Sequence, residues 1–507
     1  MTNHLFEGLF AASTPQDIFA TTPDGRAYSY EDAIAASGRF ANLLKNLGVE
    51  KGDRVAVQIP KSIDAVFLYI GCIRIGAVFL PLNTAYTEAE VSYFLEDAAP
   101  ALFVCAPSKL DAMRPVADAH GIQVESMGEQ VAGETTEGSL IAAAETCPNA
   151  FENIPCAADD LAAILYTSGT TGRSKGAMLS HDNLLSNAQT LKDHWRFTST
   201  DVLLHALPIF HTHGLFVAIN VILTSGASMI FLPNFDQDVL VAQLPSATTM
   251  MGVPTFYTRL LGDARFTKEL VAHMRLFISG SAPLFAETHV QFEERTGQKI
   301  LERYGMTETN MNTSNPYDGE RRAGTVGFAL PGVEVRICDL ETGDAIADGD
   351  TGVLEVRGPN VFSGYWNMPD KTAEEFRDDG YFITGDLVKR DEDGYIHIVG
   401  RAKDLIISGG YNIYPKEIEL LLDEQDGVLE SAVVGVPHPD FGEAVVAVVV
   451  ASSPAFDVAT ALEAIRGELA RFKHPKHLDV VDALPRNMMG KVQKNMLRDQ
   501  YASLFTK

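Results

Sequence analysis

The chain is poor in cysteine, lacks long apolar runs and is short of positive charge, and each shortage removes a class of protein. Its five cysteines, Cys72, Cys105, Cys147, Cys156 and Cys338, are odd in number, scattered and without C-x-x-C spacing. That pattern argues against both a disulfide framework and a zinc site, and it fits a reducing cytosol. No uninterrupted apolar run reaches the length of a membrane span, and residues 1–13 carry no basic cluster before their short apolar segment. Secretion and membrane insertion are therefore not expected, and a cytoplasmic location is. Lysine and arginine number 40 against 67 aspartates and glutamates, a formal charge of −27. Such a field repels nucleic acid and anionic lipid, so a site for an anionic small substrate must gather its own cations locally.

What is present is ordinary globular material, 46% hydrophobic and 21% charged. At 507 residues the chain exceeds what one core usually supports, and at least two domains are expected. Apolar residues Phe40, Leu43, Leu44 and Leu47 recur at helical spacing and stop at Gly48. A strand-like run, residues 54–59, follows, then a helical stretch through Phe67 and Ile70, then apolar residues 77–81. This is α/β layering around buried strands. Residues 132–160 are polar, small and acidic and read as a long surface connection. After residue 400 a self-contained set appears: a helix over 416–423, strands over 432–436 and 444–451, and a helix with Val458, Leu462, Ile465 and Leu469 on one face. The domain boundary is placed at Gly400 to Asp404.

The most informative segment is Thr167-Ser168-Gly169-Thr170-Thr171-Gly172-Arg173-Ser174-Lys175-Gly176, directly after the apolar residues 161–165. Hydroxyls, glycines and two cations in a loop after a strand bring backbone N–H groups and positive charge onto a polyphosphate. It departs from the P-loop, because Gly169, Gly172 and Lys175 are spaced by threes and Gly176 follows the lysine. A flexible surface loop is the alternative reading of this composition.

Further polar clusters follow. Tyr304-Gly305-Met306-Thr307-Glu308-Thr309 sets a hydroxyl and a carboxylate just past a glycine, suited to a phosphate and Mg²⁺. Tyr381 through Asp386 puts an acid after an apolar stretch, where it could accept from two sugar hydroxyls. Gly400 through Asp404 and Ser408-Gly409-Gly410-Tyr411-Asn412 flank the boundary, and Pro485 through Lys491 ends in a lysine on a glycine turn. Taken singly, each also fits a solvated turn.

Together and in this order, from about Tyr28 to Arg498, these motifs resemble the adenylate-forming superfamily of acyl-CoA synthetases, which also includes firefly luciferase and peptide-synthetase adenylation domains. The resemblance implies an α/β fold: a large N-terminal adenylate-forming domain over 1–400, with layered α/β sheets plus a small β-barrel, and a small mobile C-terminal α+β domain over 401–507. It also implies a two-step reaction. A carboxylate and ATP give an acyl-adenylate and pyrophosphate, and the thiol of CoA then displaces AMP.

By the same resemblance Thr167, Ser168, Gly169, Thr170, Thr171 and Lys175 hold the β- and γ-phosphates and Thr307 meets the α-phosphate. Glu308, with Thr170, holds Mg²⁺. Ser281 and Ala282 lie on the adenine side, Glu302 and Tyr304 are further ATP contacts, and Asp386 and Arg401 match the ribose contacts. Lys491 matches the adenylation lysine, although Met488 stands where the family usually has threonine. Lys403 matches the hinge, and Ser408, Gly409, Gly410 and Tyr411 match the loop beside the pantetheine tunnel. A carboxylate is a poor nucleophile toward a polyanion, so charge neutralisation and in-line placement matter more here than proton transfer.

The acid is read from the pocket segments: residues 210–214, the helix starting Val253-Pro254-Thr255, residues 279–283 and residues 304–308. His211 matches the family's gate residue at the acyl–adenylate junction, whereas His213 reads as pocket packing. Arg303 before Tyr304, and Arg259 on the helix after Pro254, are two cations suited to a second carboxylate, with Ser281 beside them. An alternative pairs Arg303 with Glu302 or another acid. The strings 209–215 and 301–309, the latter followed by Asp318 through Arg322, are similar to those of malonyl-CoA synthetases. Expected partners are therefore malonate or a related acid such as methylmalonate, ATP and CoA. A short- or medium-chain monocarboxylate ligase, and an adenylation module that loads a carrier protein, are the alternatives. A monomer or weak dimer is expected, with a lysine acetyltransferase acting on Lys491 kept open.

Overall fold

The computed structural model describes residues 2–131, 134–136, 138–167, 174–340, 342–409, 411–453, 456–487 and 490–505. Two compact units emerge: residues 1–334 with 357–382, and residues 335–356 with 383–507. This division falls earlier than Gly400, because strands Phe382–Arg390 and Ile396–Arg401 pair with each other in one sheet.

The first unit holds two large sheets. In the nine-stranded one, Ile18–Thr21, Ser228–Phe231, Val202–His205, Thr249–Gly252, Leu276–Ser279 and Leu301–Met306 run parallel, and antiparallel strands close both ends. The six-stranded sheet carries Arg54–Gln58, Val78–Pro81, Leu102–Cys105 and Gln123–Ser126 in parallel, with Lys175–Ser180 antiparallel to Leu161–Thr167 at one edge. Strands such as Val78–Pro81, Thr249–Gly252 and Leu276–Ser279 are buried at every position. This is why they read as short continuous apolar runs rather than alternating ones. Between them, helices begin where a hydroxyl can cap them. Ser29 and Asp32 form a capping box at the start of Tyr30–Asn46, and Ser180 and Asn183 do the same for His181–His194.

Residues 132–160 correct the sequence reading. Within the expected surface connection lies the helix Gly138–Glu145, which buries Leu140 and Ala144. Its small residues hid the pattern, because alanine buries without looking strongly apolar.

In the second unit, Glu334–Cys338, Gly352–Arg357, Phe382–Arg390 and Ile396–Arg401 form a four-stranded sheet. A separate sheet pairs Val428–His438 antiparallel with Gly442–Ala451, joined by Ile406–Ser408, Tyr411–Ile413 and His477–Val481. Period-two alternation sorts its side chains onto two faces. Val433, Val445, Ala447 and Val449 pack with Ile418, Leu422 and Ile465, while Val434, Val446, Val448 and Val450 pack with Leu484 and Leu497.

Candidate active site

Each segment expected to line the acyl pocket follows the carboxyl end of a parallel strand in the nine-stranded sheet. Residues 206–214 follow Val202–His205, the helix Pro254–Leu261 follows Thr249–Gly252, and Gly280 and Ser281 follow Leu276–Ser279. Thr307 and Glu308 follow Leu301–Met306. The strands run parallel, so these ends share one edge, the edge where open α/β sheets bind ligands.

Arg303 is the cation of this edge. The residue is 3% exposed, and Nε and Nη2 are buried without a hydrogen-bond partner. No ion pair to Arg303 exists among the described residues, which removes the pairing with Glu302: adjacent strand residues face opposite ways, and Glu302 instead accepts from the Leu284 N–H at 3.3 Å. Burial pushes the Arg303 guanidinium down to about 9. Gly280 makes room for it, since a Cβ there would stand 2.4 Å from the Arg303 Cζ.

Beside Arg303 lies His213, fully buried, whose Nδ1 is 3.1 Å from the Ser281 Oγ. Burial first, then the charge of Arg303, holds His213 well below its ordinary value, so it is neutral at pH 7. The sequence reading of His213 was pocket packing, and in the structure the ring is fully buried with its Nδ1 on Ser281. Ser281 sits at φ +71°, a backbone strained for serine that aims its hydroxyl at this ring. His211 is half-buried, and its Nδ1 accepts from the His213 N–H at 3.2 Å. Tyr257, on the helix Pro254–Leu261, donates to the Ile278 carbonyl at 2.5 Å. Arg259 lies two residues on, about 200° around that helix. It is exposed, with its guanidinium 5.4 Å from the Phe235 ring centroid, and the structure does not bring it to Arg303.

A second polar cluster of the same unit forms around Lys175, the first residue of its strand, paired with Thr167 across the register. Ser168, Gly169, Thr170 and Thr171 lie outside the described residues. Lys175 is 9% exposed; its ammonium is 2.9 Å from the Glu375 Oε1 and 4.0 Å from the Tyr365 ring centroid. The Tyr365 hydroxyl reaches both the Glu375 Oε2 at 2.6 Å and the Glu308 Oε1 at 3.2 Å. Backbone hydrogen bonds from Trp366 to Gly176, from Met178 to Gly364 and from Phe362 to Glu308 clamp this segment in place. Thr307 is half-buried, Glu308 buried, and the Tyr304 hydroxyl is 3.9 Å from the Met306 Sδ. Neither Glu375 nor Tyr365 was expected: Tyr365 follows a glycine and Glu375 is one acid in an acidic stretch.

In the second unit, Asp386 and Arg401 stand opposite each other across an antiparallel pair and form an ion pair at 2.6 Å, with Asp386 3% exposed. Lys403 occupies the turn Ala402–Asp404, and Arg498 pairs with Asp404. Lys491 is exposed as a residue, yet its ammonium is drawn down to about 8, by burial first and then by the cations Arg401 and Lys403. Asp386 and Asp404 pull the other way against the two cations, so burial of the ammonium is the main cause of the fall. Lys491, Lys403, Asp386 and Arg401 are thus electrostatic neighbours. Ser408 is buried opposite Tyr411; Gly409 takes φ +59°; Tyr411 is exposed and stacks on Phe472 at 4.5 Å. Gly410 and Met488 lie outside the described residues.

Residues 10–366 match the AMP-binding enzyme family, and residues 417–491 match the AMP-binding enzyme C-terminal domain. The chain belongs to this family and is an enzyme of the adenylate-forming fold. Among its relatives, a malonate–CoA ligase of Arabidopsis thaliana is 35% identical over 97% of this chain and 88% of its own length. A long-chain-fatty-acid–CoA ligase of Bacillus subtilis is 31% identical over 94% of this chain and 90% of its own. The crystal structure of ATP-bound MatB from Rhodopseudomonas palustris is 57% identical, with a TM-score of 0.96 and 100% of both chains covered. Among the described residues no helix is long and apolar enough to cross a membrane.

Proposed function

We propose that this enzyme is an ATP-dependent acid–thiol ligase that activates malonate, through malonyl-adenylate, to malonyl-CoA with release of AMP and pyrophosphate. The observation that carries the choice of acid is the Arg303 guanidinium, buried at the carboxyl edge of the sheet with Nε and Nη2 unpartnered. A guanidinium fork takes both oxygens of a carboxylate, and the distal carboxylate of malonate is a counterion of the right shape and charge. The malonate–CoA ligase of Arabidopsis thaliana among the relatives supports the same assignment.

In this reading Lys175, with the loop from Thr167 to Thr171, holds the β- and γ-phosphates and Thr307 the α-phosphate. Ser281 and Ala282 lie along the adenine, Glu302 and Tyr304 add nucleotide contacts, and Asp386 and Arg401 bind the ribose. Glu308 is a buried carboxylate suited to Mg²⁺, and no group of three or more metal-ligating side chains exists among the described residues. Such a single-carboxylate site suits a hard cation that takes its remaining oxygens from phosphates. The metal neutralises polyphosphate charge when bound. Lys491 bridges the attacking carboxylate and the phosphate, and His211 gates the acyl–adenylate junction. Lys403 serves as hinge, in the turn after the strand Ile396–Arg401 and before the strand Ile406–Ser408, and Ser408 through Tyr411 meet CoA.

The test is acid-dependent AMP release with CoA, comparing malonate, methylmalonate, succinate, acetate and octanoate. Malonate should lead, and Arg303→Ala should lower its kcat/KM by about 10²–10³-fold, the cost of removing one partner of a buried charge pair, while acetate use changes little. An unchanged acid preference in that variant removes the dicarboxylate assignment, and ADP in place of AMP removes the ligase.

A further inference from the structure

The Lys175 ammonium, the cation read above as a phosphate ligand, is held by an acid from a distant part of the chain. Glu375 lies 200 residues away in sequence, at the end of the helix Pro369–Glu375, and reaches Lys175 at 2.9 Å. The same carboxylate is held at 3.2 Å by Lys371, one helical turn back, and at 2.6 Å by the Tyr365 hydroxyl. Tyr365 has one proton for two acceptors, Glu375 and Glu308.

We propose that Glu375 and Tyr365 are positioning residues for the polyphosphate. Glu375 competes with the β- and γ-phosphates of ATP for Lys175, and Tyr365 passes the outcome to Glu308. The inference rests on the reading of Lys175 as a phosphate ligand.

Two negative groups cannot both draw close to one ammonium without repelling each other. When phosphate oxygens take the Lys175 N–H groups, Glu375 keeps Lys371, so its charge is not stranded. As the carboxylate turns toward Lys371, the Tyr365 proton is freed to hydrogen-bond Glu308, the acid that would hold Mg²⁺. Occupation of the phosphate cradle thereby orients the metal carboxylate. Without Glu375, the buried Lys175 ammonium would bind polyphosphate with no internal rival.

The experiment is titration calorimetry of the full-length protein with ATP, pyrophosphate and AMP. Glu375→Gln keeps the shape of the side chain and removes its charge. It should bind ATP and pyrophosphate about tenfold more tightly, the scale of one charge-assisted hydrogen bond, and AMP within about twofold of the parent. Unchanged or weaker ATP and pyrophosphate binding overturns the competition, and so does an equal tightening of AMP.

In a Lys175→Met background, Glu375→Gln should change ATP affinity by less than about twofold. A tenfold change persisting there would make the effect a long-range charge effect and overturn the inference. A Lys175→Met protein that binds ATP as the parent does would instead overturn the phosphate-ligand reading itself. Should Glu375→Gln not fold, Glu375→Asp shortens the reach to Lys175 and should tighten ATP in the same sense. For Tyr365, the Phe variant should lose severalfold of the Mg²⁺ enhancement of ATP binding while its Mg²⁺-free affinity holds; an intact enhancement removes Tyr365 from the relay.

Discussion

In the proposed function Arg303 is the one side chain that selects the acid, and its surroundings are built for that. A buried guanidinium without a counterion is costly, and here burial already lowers it to about 9. A substrate carboxylate offsets that cost, and an acid lacking the second carboxylate does not. Gly280 is part of the same device, because only a residue without Cβ leaves the guanidinium its place. Gly280→Ala should therefore displace Arg303 and lower kcat/KM for malonate by about tenfold or more, an overpacking effect of roughly 1–3 kcal/mol. Acetate turnover and the thermal midpoint, measured alongside, should change less. Equal loss for both acids would mean the glycine matters only for packing. Arg259 makes the opposite point. Its place on the helix after Pro254 was legible, but the face it points to depends on where Tyr257 is anchored.

Secondary structure was the most readable level. The helix expected over 416–423 is Pro415–Asp423, and the strands expected over 432–436 and 444–451 lie within Val428–His438 and Gly442–Ala451. The helix buries one face, with Ile418 and Leu422, and the two strands have continuously buried cores over 431–436 and 444–450, so local pattern and tertiary demand agree. The helix Gly138–Glu145 escaped notice because its alanines carry little contrast. In the second unit, Leu422 on Pro415–Asp423 fills the face of the sheet formed by Val433, Val445 and Ala447. Leu422→Ala should cost about 2–5 kcal/mol there. Denaturant unfolding followed by a probe in residues 383–507 should show an earlier transition than in the parent. An unshifted transition would mean that this face carries little of the unit's stability.

Taken over the full chain, the proposed chemistry divides between half-reactions, and pH separates them. The Lys491 ammonium, drawn down to about 8, bridges two anions only while protonated. Below that value it is charged and competent; above it the charge is lost. kcat/KM for adenylation, followed by pyrophosphate release, should therefore fall on the alkaline side of about pH 8, where the free enzyme's essential acid titrates. Transfer of a supplied malonyl-adenylate to CoA should not share that limb. Lys491→Ala should abolish the first half-reaction and spare the second; equal loss in both would refute the role given to the lysine.

The order and chemical character of the polar segments, the strands that precede them and the family to which the chain belongs were all settled by sequence, because each is a local pattern. Three things waited for the folded chain: the unpaired state of Arg303, the outward placement of Arg259, and the pairing of Lys175 with Glu375 and Tyr365. Those depend on sheet register and on backbone clamps between residues as far apart as Gly176 and Trp366. No local run of residues encodes which charge will meet which partner once the strands are aligned.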